Sequence, residues 1–124
     1  MIVHVDTPAL VDALTGPRRS LAALTALVEQ GHPIAISSLV LFEWKRGPRT
    51  RAELAAQEAL LPTESAVAFD GAAAVLAADL YRRLSRPRGR EIDLAIAAVA
   101  LREGAALWTL NRDDFDDVPG LQLV

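Results

Sequence analysis

Four carboxylates stand where an acid is awkward. Asp6 follows directly on the apolar run Ile2 to Val5, and Glu43 interrupts Leu39, Val40, Leu41, Phe42 and Trp44. Asp93 precedes the apolar stretch Leu94 to Leu101, and Asp114 sits in the polar segment Thr109-Leu110-Asn111-Arg112-Asp113-Asp114-Phe115. A buried, unpaired carboxylate is costly or takes up a proton, so Glu43 in particular needs a neighbouring Arg or a metal ion. Each of the others also has an ordinary reading, Asp6 and Asp93 as helix caps and Asp114 as a solvated turn. Gathered in one place, the four would repel and would stay ionised near neutral pH only around a cation. Mg²⁺ or Mn²⁺ fits an all-oxygen donor set, and such a centre supports metal-assisted hydrolysis of phosphodiesters.

Other site chemistries are closed off. With no cysteine, the chain has no thiol nucleophile, disulfide framework or iron–sulfur centre, and His4 and His32 do not form a spaced zinc pair. No glycine-rich phosphate loop follows any strand. An aspartyl phosphotransferase would also place an acid after the first strand, but position 8 is proline rather than a second aspartate, and Lys45 is the single lysine.

The elements that must position these acids read as alternating strands and helices. Strands are expected at Ile2 to Val5, Pro33 to Ile36, Ala66 to Phe69, Ala106 to Leu110 and Leu121 to Val124. Thr7-Pro8 reads as a cap and first helical residue of a helix to about Leu14, and Leu21, Leu24, Leu27 and Val28 mark a second helix. Further helices are expected from Leu39 to Arg46, Arg51 to Leu61, Gly71 to Leu84, and from Ile92 to a stop at Gly104. In the last of these, Ile92, Ile96, Val99 and Ala100 share an apolar face, while Ala97 and Ala100 lie on the side of Asp93 as small residues that would let a ligand approach it. This alternation implies a parallel-rich sheet covered on both faces in one α/β domain spanning 1–124, with acids at the carboxyl ends of strands where crevices form.

Length and composition agree: 124 residues with 52% hydrophobic content suit one domain with one core. No stretch reaches the roughly 18 to 20 apolar residues of a membrane span, and the N-terminus lacks the basic region of a signal peptide, so the chain reads as cytoplasmic. The formal net charge is −3, yet nine of the thirteen cations fall into two acid-free clusters, Lys45-Arg46-Arg49-Arg51 and Arg82-Arg83-Arg86-Arg88-Arg90. Beside an acidic pit, Arg46, Arg86, Arg88 and Arg90 would serve as phosphate contacts, the alternative for each cluster being a solvated or partner-binding surface.

The sequence resembles PIN-domain proteins, in particular the VapC-type toxins of bacterial toxin–antitoxin pairs. The likeness runs through Val5-Asp6-Thr7, Ile36-Ser37-Ser38, Phe42-Glu43-Trp44 with Gly47, Asp93-Leu94-Ala95-Ile96-Ala97-Ala98, Thr109-Leu110-Asn111 with Asp114-Phe115, and Val118-Pro119-Gly120-Leu121, in the family's order. The resemblance implies a three-layer α/β/α sandwich and Mg²⁺- or Mn²⁺-dependent endoribonuclease activity. It further implies homodimerisation and inhibition by a VapB-like antitoxin laid across the groove near the acids. On that basis Asp6, Glu43, Asp93 and Asp114 take the catalytic, metal-holding positions, with Thr109, Asn111 and Asp113 in support. Pro8 stands where the family often has Asn or Ser, and Asn111 where some members have Asp. The alternative is a catalytically inert PIN-like module that binds RNA or protein; binding of a divalent ion separates the two.

Overall fold

A computed structural model describes residues 1–124. Strand β1 is Val3–Val5, followed by helices α1 (Thr7–Leu14) and α2 (Leu21–Glu29), strand β2 (Ile34–Ala35), and helices α3 (Ser38–Arg46) and α4 (Arg51–Leu60). A 3-10 turn at Thr63–Ser65 leads to α5 (Gly71–Arg83) and α6 (Glu91–Arg102), then β3 (Ala106–Trp108) and a second 3-10 turn at Arg112–Asp114. The architecture is the expected α/β/α sandwich on a three-stranded parallel sheet of order β2-β1-β3.

That order fixes where a site can lie. The chain leaves β1 for β2 on one side and returns past it to β3 on the other, so β1 and β3 flank a switch point at their carboxyl ends. Asp6 follows β1 and Thr109 follows β3. α6 runs into β3 through a short turn, which puts its N-terminus, and Asp93, back at the same edge. Gly104 makes that turn in the left-handed conformation, φ +63°, that glycine adopts without penalty.

α6 is the core helix. Leu94 to Ala100 are all buried, and the helix packs on α5, α3 and β3. A helix apolar on every side belongs in the interior. Its alanines permit close approach of neighbouring elements, so Ala97 and Ala100, both 0% exposed, are covered by packing rather than left open beside Asp93. Ile92, expected on the apolar face, is exposed because it precedes the buried segment. Val3, Val5, Leu10, Trp44, Leu107 and Phe115 complete the centre.

Two expected strands shrink to single bridges, Ser37 with Val67 and Leu107 with Leu123. Around Val67 the backbone is claimed from both sides: the 3-10 turn ends at Ser65, and the Ser38 hydroxyl accepts the Phe69 N–H at 3.0 Å. The cap at the chain's first helix is also one residue earlier than expected. Asp6, rather than Thr7, is the N-cap of α1, its Oδ1 accepting the Thr7 N–H at 2.9 Å, and Pro8 lies in the first turn, where no helical N–H is needed.

His4, in the central strand, is buried, and neither ring nitrogen has a hydrogen-bond partner. Burial holds its pKa below 6.5, partly opposed by Glu103. A histidine that resists protonation when folded makes the unfolded chain the better proton binder, so its contribution to stability is lost as pH falls below the unfolded value. Replacing His4 by Leu is therefore expected to lessen the loss of stability between pH 7.5 and 5.5, read as the shift in urea midpoint.

Candidate active site

Asp6 is 2% exposed, with both oxygens in use. Oδ1 accepts from the Thr7 N–H, and Oδ2 accepts the Thr109 hydroxyl at 2.8 Å. Thr109 Oγ1 in turn accepts the Asn111 N–H at 3.0 Å, so Asn111 supports the site through its backbone. On the other side of Asp6, the Thr7 hydroxyl donates to Glu43 Oε1 at 2.7 Å. A line of hydrogen bonds thus joins the end of β3, the end of β1 and the middle of α3. Thr7 was not singled out by sequence; its place one residue after a strand-terminal acid is the signal that could have marked it.

Of the two cations that its setting allowed, a neighbouring Arg or a metal ion, Glu43 has the Arg. Besides Thr7, its Oε2 lies 3.5 Å from the Arg46 guanidinium, which also sits 5.5 Å above the Phe42 ring. Arg46 is therefore anchored along α3 rather than free beside the cleft. The Glu43 side chain is 22% exposed, less deeply enclosed than its apolar neighbours suggest, because Phe42 itself faces solvent.

Asp6, Glu43 and Asp93 line one open cleft of about 410 Å³ with Thr7, Pro8, Val11, Asp12 and Leu110. Asp12 belongs to this wall as well, its carboxylate accepting the Ser20 hydroxyl. Asp113 and Asp114 are exposed and line an adjoining recess with Leu110, Asn111 and Arg112. Of these two, Asp114 acts electrostatically on both Asp6 and Asp93. A separate groove of equal volume is walled mainly by apolar side chains, among them Phe69, Tyr81 and Leu94, with Arg82 and Glu91 as its two charged residues, and it holds no cluster of acids.

The acids raise one another's proton affinity. The Asp93 carboxyl is pushed up to about 6, first by burial and then by the charges of Asp6, Asp114 and Glu43, with Arg90 opposing. Burial also raises Asp6, against the lowering effect of its Thr109 and Thr7 hydrogen bonds. An all-oxygen donor set at elevated proton affinity is what a hard divalent cation relieves. No three of these side chains converge closely enough to enclose an ion unaided. That suits Mg²⁺, which keeps several waters and needs one or two carboxylates. By donor chemistry the carboxylates of Asp6, Glu43, Asp93 and Asp114 are the oxygen ligands that such an ion would take.

The basic residues divide. Arg86 and Arg88 are exposed in the loop before α6. Arg90, expected as a phosphate contact, is committed elsewhere: its side chain is 16% exposed and grips the Asp117 carboxylate at 2.6 and 2.9 Å. Sequence could not pair residues 27 positions apart.

Residues 3–121 match the model of the PIN domain family. Ribonuclease VapC19 of Mycobacterium tuberculosis is 37% identical over 120 residues, 95% of each chain. The chain belongs to the PIN-domain family, VapC type. Among solved structures, VapBC2 from Rickettsia felis bound to a promoter DNA fragment superposes with TM-score 0.76 at 24% identity, covering 100% of this chain and 98% of that one. A toxin–antitoxin complex from Klebsiella pneumoniae gives 0.75 at 25% identity, covering 98% and 95%. The PIN fold thus accounts for the sheet order and for the edge at which the acids meet.

Substitutions at two positions test the site's electrostatics. Thr109→Val leaves the buried Asp6 Oδ2 without a donor and is expected to cost about 1–3 kcal/mol in urea unfolding, whereas Thr109→Ser keeps the hydroxyl and most of the stability. Asp93 behaves oppositely. Its folded pKa lies above the unfolded 3.8, so the folded chain is the better proton binder between 3.8 and about 6, and stability falls as pH rises through that window. Asp93→Asn is therefore expected to raise Tm in metal-free buffer at pH 7.5, with a smaller effect at pH 4.

Proposed function

We propose that this PIN protein is a Mg²⁺- or Mn²⁺-dependent endoribonuclease that acts as the toxin of a toxin–antitoxin pair. The observation that carries this reading is that Asp6, Glu43 and Asp93 line one cleft, in which burial first and then the neighbouring acids push the Asp93 carboxyl up to about 6. Carboxylates placed so as to raise one another's proton affinity inside a cleft are a mark of functional sites. The likeness to Ribonuclease VapC19 supplies the substrate class.

A divalent ion bound there supplies charge neutralisation at the scissile phosphate and a more acidic attacking water. The chain's own part is placement. Thr109 and the Thr7 N–H hold the Asp6 carboxylate in one orientation, leaving lone pairs free toward the cleft. Thr7 and Arg46 hold Glu43, where its carboxylate accepts a proton from, or orients, a water at the cleft wall. Asp93 must be ionised to act, so activity is expected to fall as pH drops below about 6. Arg86 and Arg88, exposed in one loop, provide phosphate contacts that track the RNA backbone.

The partners follow from the same reading. The complexes resembled are toxin–antitoxin assemblies, and exposed Leu110 in the wall of the open cleft gives an antitoxin segment an apolar anchor next to the acids it would cover. Homodimerisation and a cytoplasmic location belong to this proposal; no helix of the chain is long and apolar enough to cross a membrane.

The purified protein is expected to cleave structured RNA with Mg²⁺ or Mn²⁺ and to stop on chelation. Asp6→Asn and Asp93→Asn should each lower the rate by at least about 100-fold, beyond the loss of an outer hydrogen bond, while remaining folded by circular dichroism. Wild-type rates in both variants would refute the mechanism. RNA binding without cleavage, and with no heat of Mn²⁺ binding in calorimetry, would point instead to the inert binding module. Where the metal does bind, titration at pH 6 should release protons and affinity should weaken toward pH 5.

A further inference from the structure

Arg90 occupies a built position. Pro87 to Arg90 form a turn closed by the Arg90 N–H on the Pro87 carbonyl at 3.0 Å, with Gly89 at φ +83°, the left-handed conformation that the third residue of such a turn requires. The turn aims the guanidinium at the segment after β3. Its two terminal nitrogens bind both oxygens of Asp117, one also reaches the Asp114 carbonyl at 2.8 Å, and the other the Arg86 carbonyl at 3.2 Å. Phe115 and Val118, both buried, pin the same segment from beneath.

We infer that Arg90 and Asp117 form a positioning clamp, which fixes the Arg112–Asp114 turn and thereby the Asp114 carboxylate relative to Asp93 at the start of α6. Asp114 is exposed, and no hydrogen bond to its own side chain holds it, so its place depends on its backbone. That backbone is tied by the Arg90 fork and by the Asp114 N–H on the Asn111 carbonyl at 3.0 Å. A fork is needed because two carboxylate oxygens and two carbonyls are engaged at once, a geometry lysine cannot reproduce. The inference deepens the nuclease reading and rests on it for its kinetic arm alone.

The test contrasts Arg90→Met, Arg90→Lys and Asp117→Asn with the double variant Arg86→Met/Arg88→Met. A positioning clamp predicts that the first three lower kcat for RNA cleavage by about 10- to 100-fold with KM little changed. It also predicts that the Asp114 and Phe115 amides exchange with solvent at least about tenfold faster. The double variant should instead raise KM, flatten the salt dependence and leave those amides unchanged. Asp117 decides the matter, because an acid cannot contact a phosphate: equal defects in Asp117→Asn and Arg90→Met support the clamp. If Arg90→Met raises KM while Asp117→Asn cleaves as fast as wild type, Arg90 is an RNA contact and the clamp is wrong. Unchanged exchange at Asp114 and Phe115 in Asp117→Asn likewise overturns it. Should the wild type not cleave RNA at all, the exchange measurement still judges the clamp, and only the proposed function fails. Asp117→Asn, altering a partly exposed side chain, carries the test if Arg90→Met does not fold.

Discussion

The structure depends on the cost of keeping a carboxylate at 2% exposure. Asp6 is tolerated at the end of the central strand because Thr109 and the Thr7 N–H satisfy its two oxygens. Each bond draws in a different element, Thr109 from the far end of the chain and Thr7 from α1, whose hydroxyl then secures Glu43 on α3. Satisfying one buried charge therefore assembles the cleft. The residual strain is electrostatic: burial, and then the charges of Asp6, Asp114 and Glu43, raise the proton affinity of Asp93, and stability is given up where a cation would restore it.

Parallel topology makes this possible with few residues. With only three short strands, the sheet has one switch point, and the polar ends of β1 and β3 with the starts of α1 and α6 all fall there. Leu94 to Ala100 tie α6 into the core so firmly that Asp93 is held by the buried helix behind it rather than by a partner of its own.

Much of this was legible beforehand. Helices at Leu21, Arg51 and Gly71, and the strands at Val3 and Ala106, follow from apolar period and caps, and Ser37, Thr50 and Asp70 cap their helices as local chemistry dictates. What sequence missed was long-range. Val67 and Leu123 have strand-like composition, but turns on either side leave room for a single bridge each. Arg90 has the same local character as Arg86 and Arg88, and only folding brings Asp117 to it. Thr7 and Asp12 looked ordinary because a hydroxyl or an acid near a helix start has many local uses; a shared cleft wall is a tertiary fact. The alanines after Asp93 show the reverse error, since small residues serve close packing as readily as access.

The hydrogen bond between Asp6 and Thr109 spans 103 positions. During synthesis on the ribosome, the first acid emerges long before the threonine that stabilises it, and Asp114 emerges later still. An unfinished polypeptide therefore carries two of the cleft's acids, Asp6 and Glu43, without the threonine that satisfies the first of them, and the cleft is assembled only when translation of that molecule is nearly over.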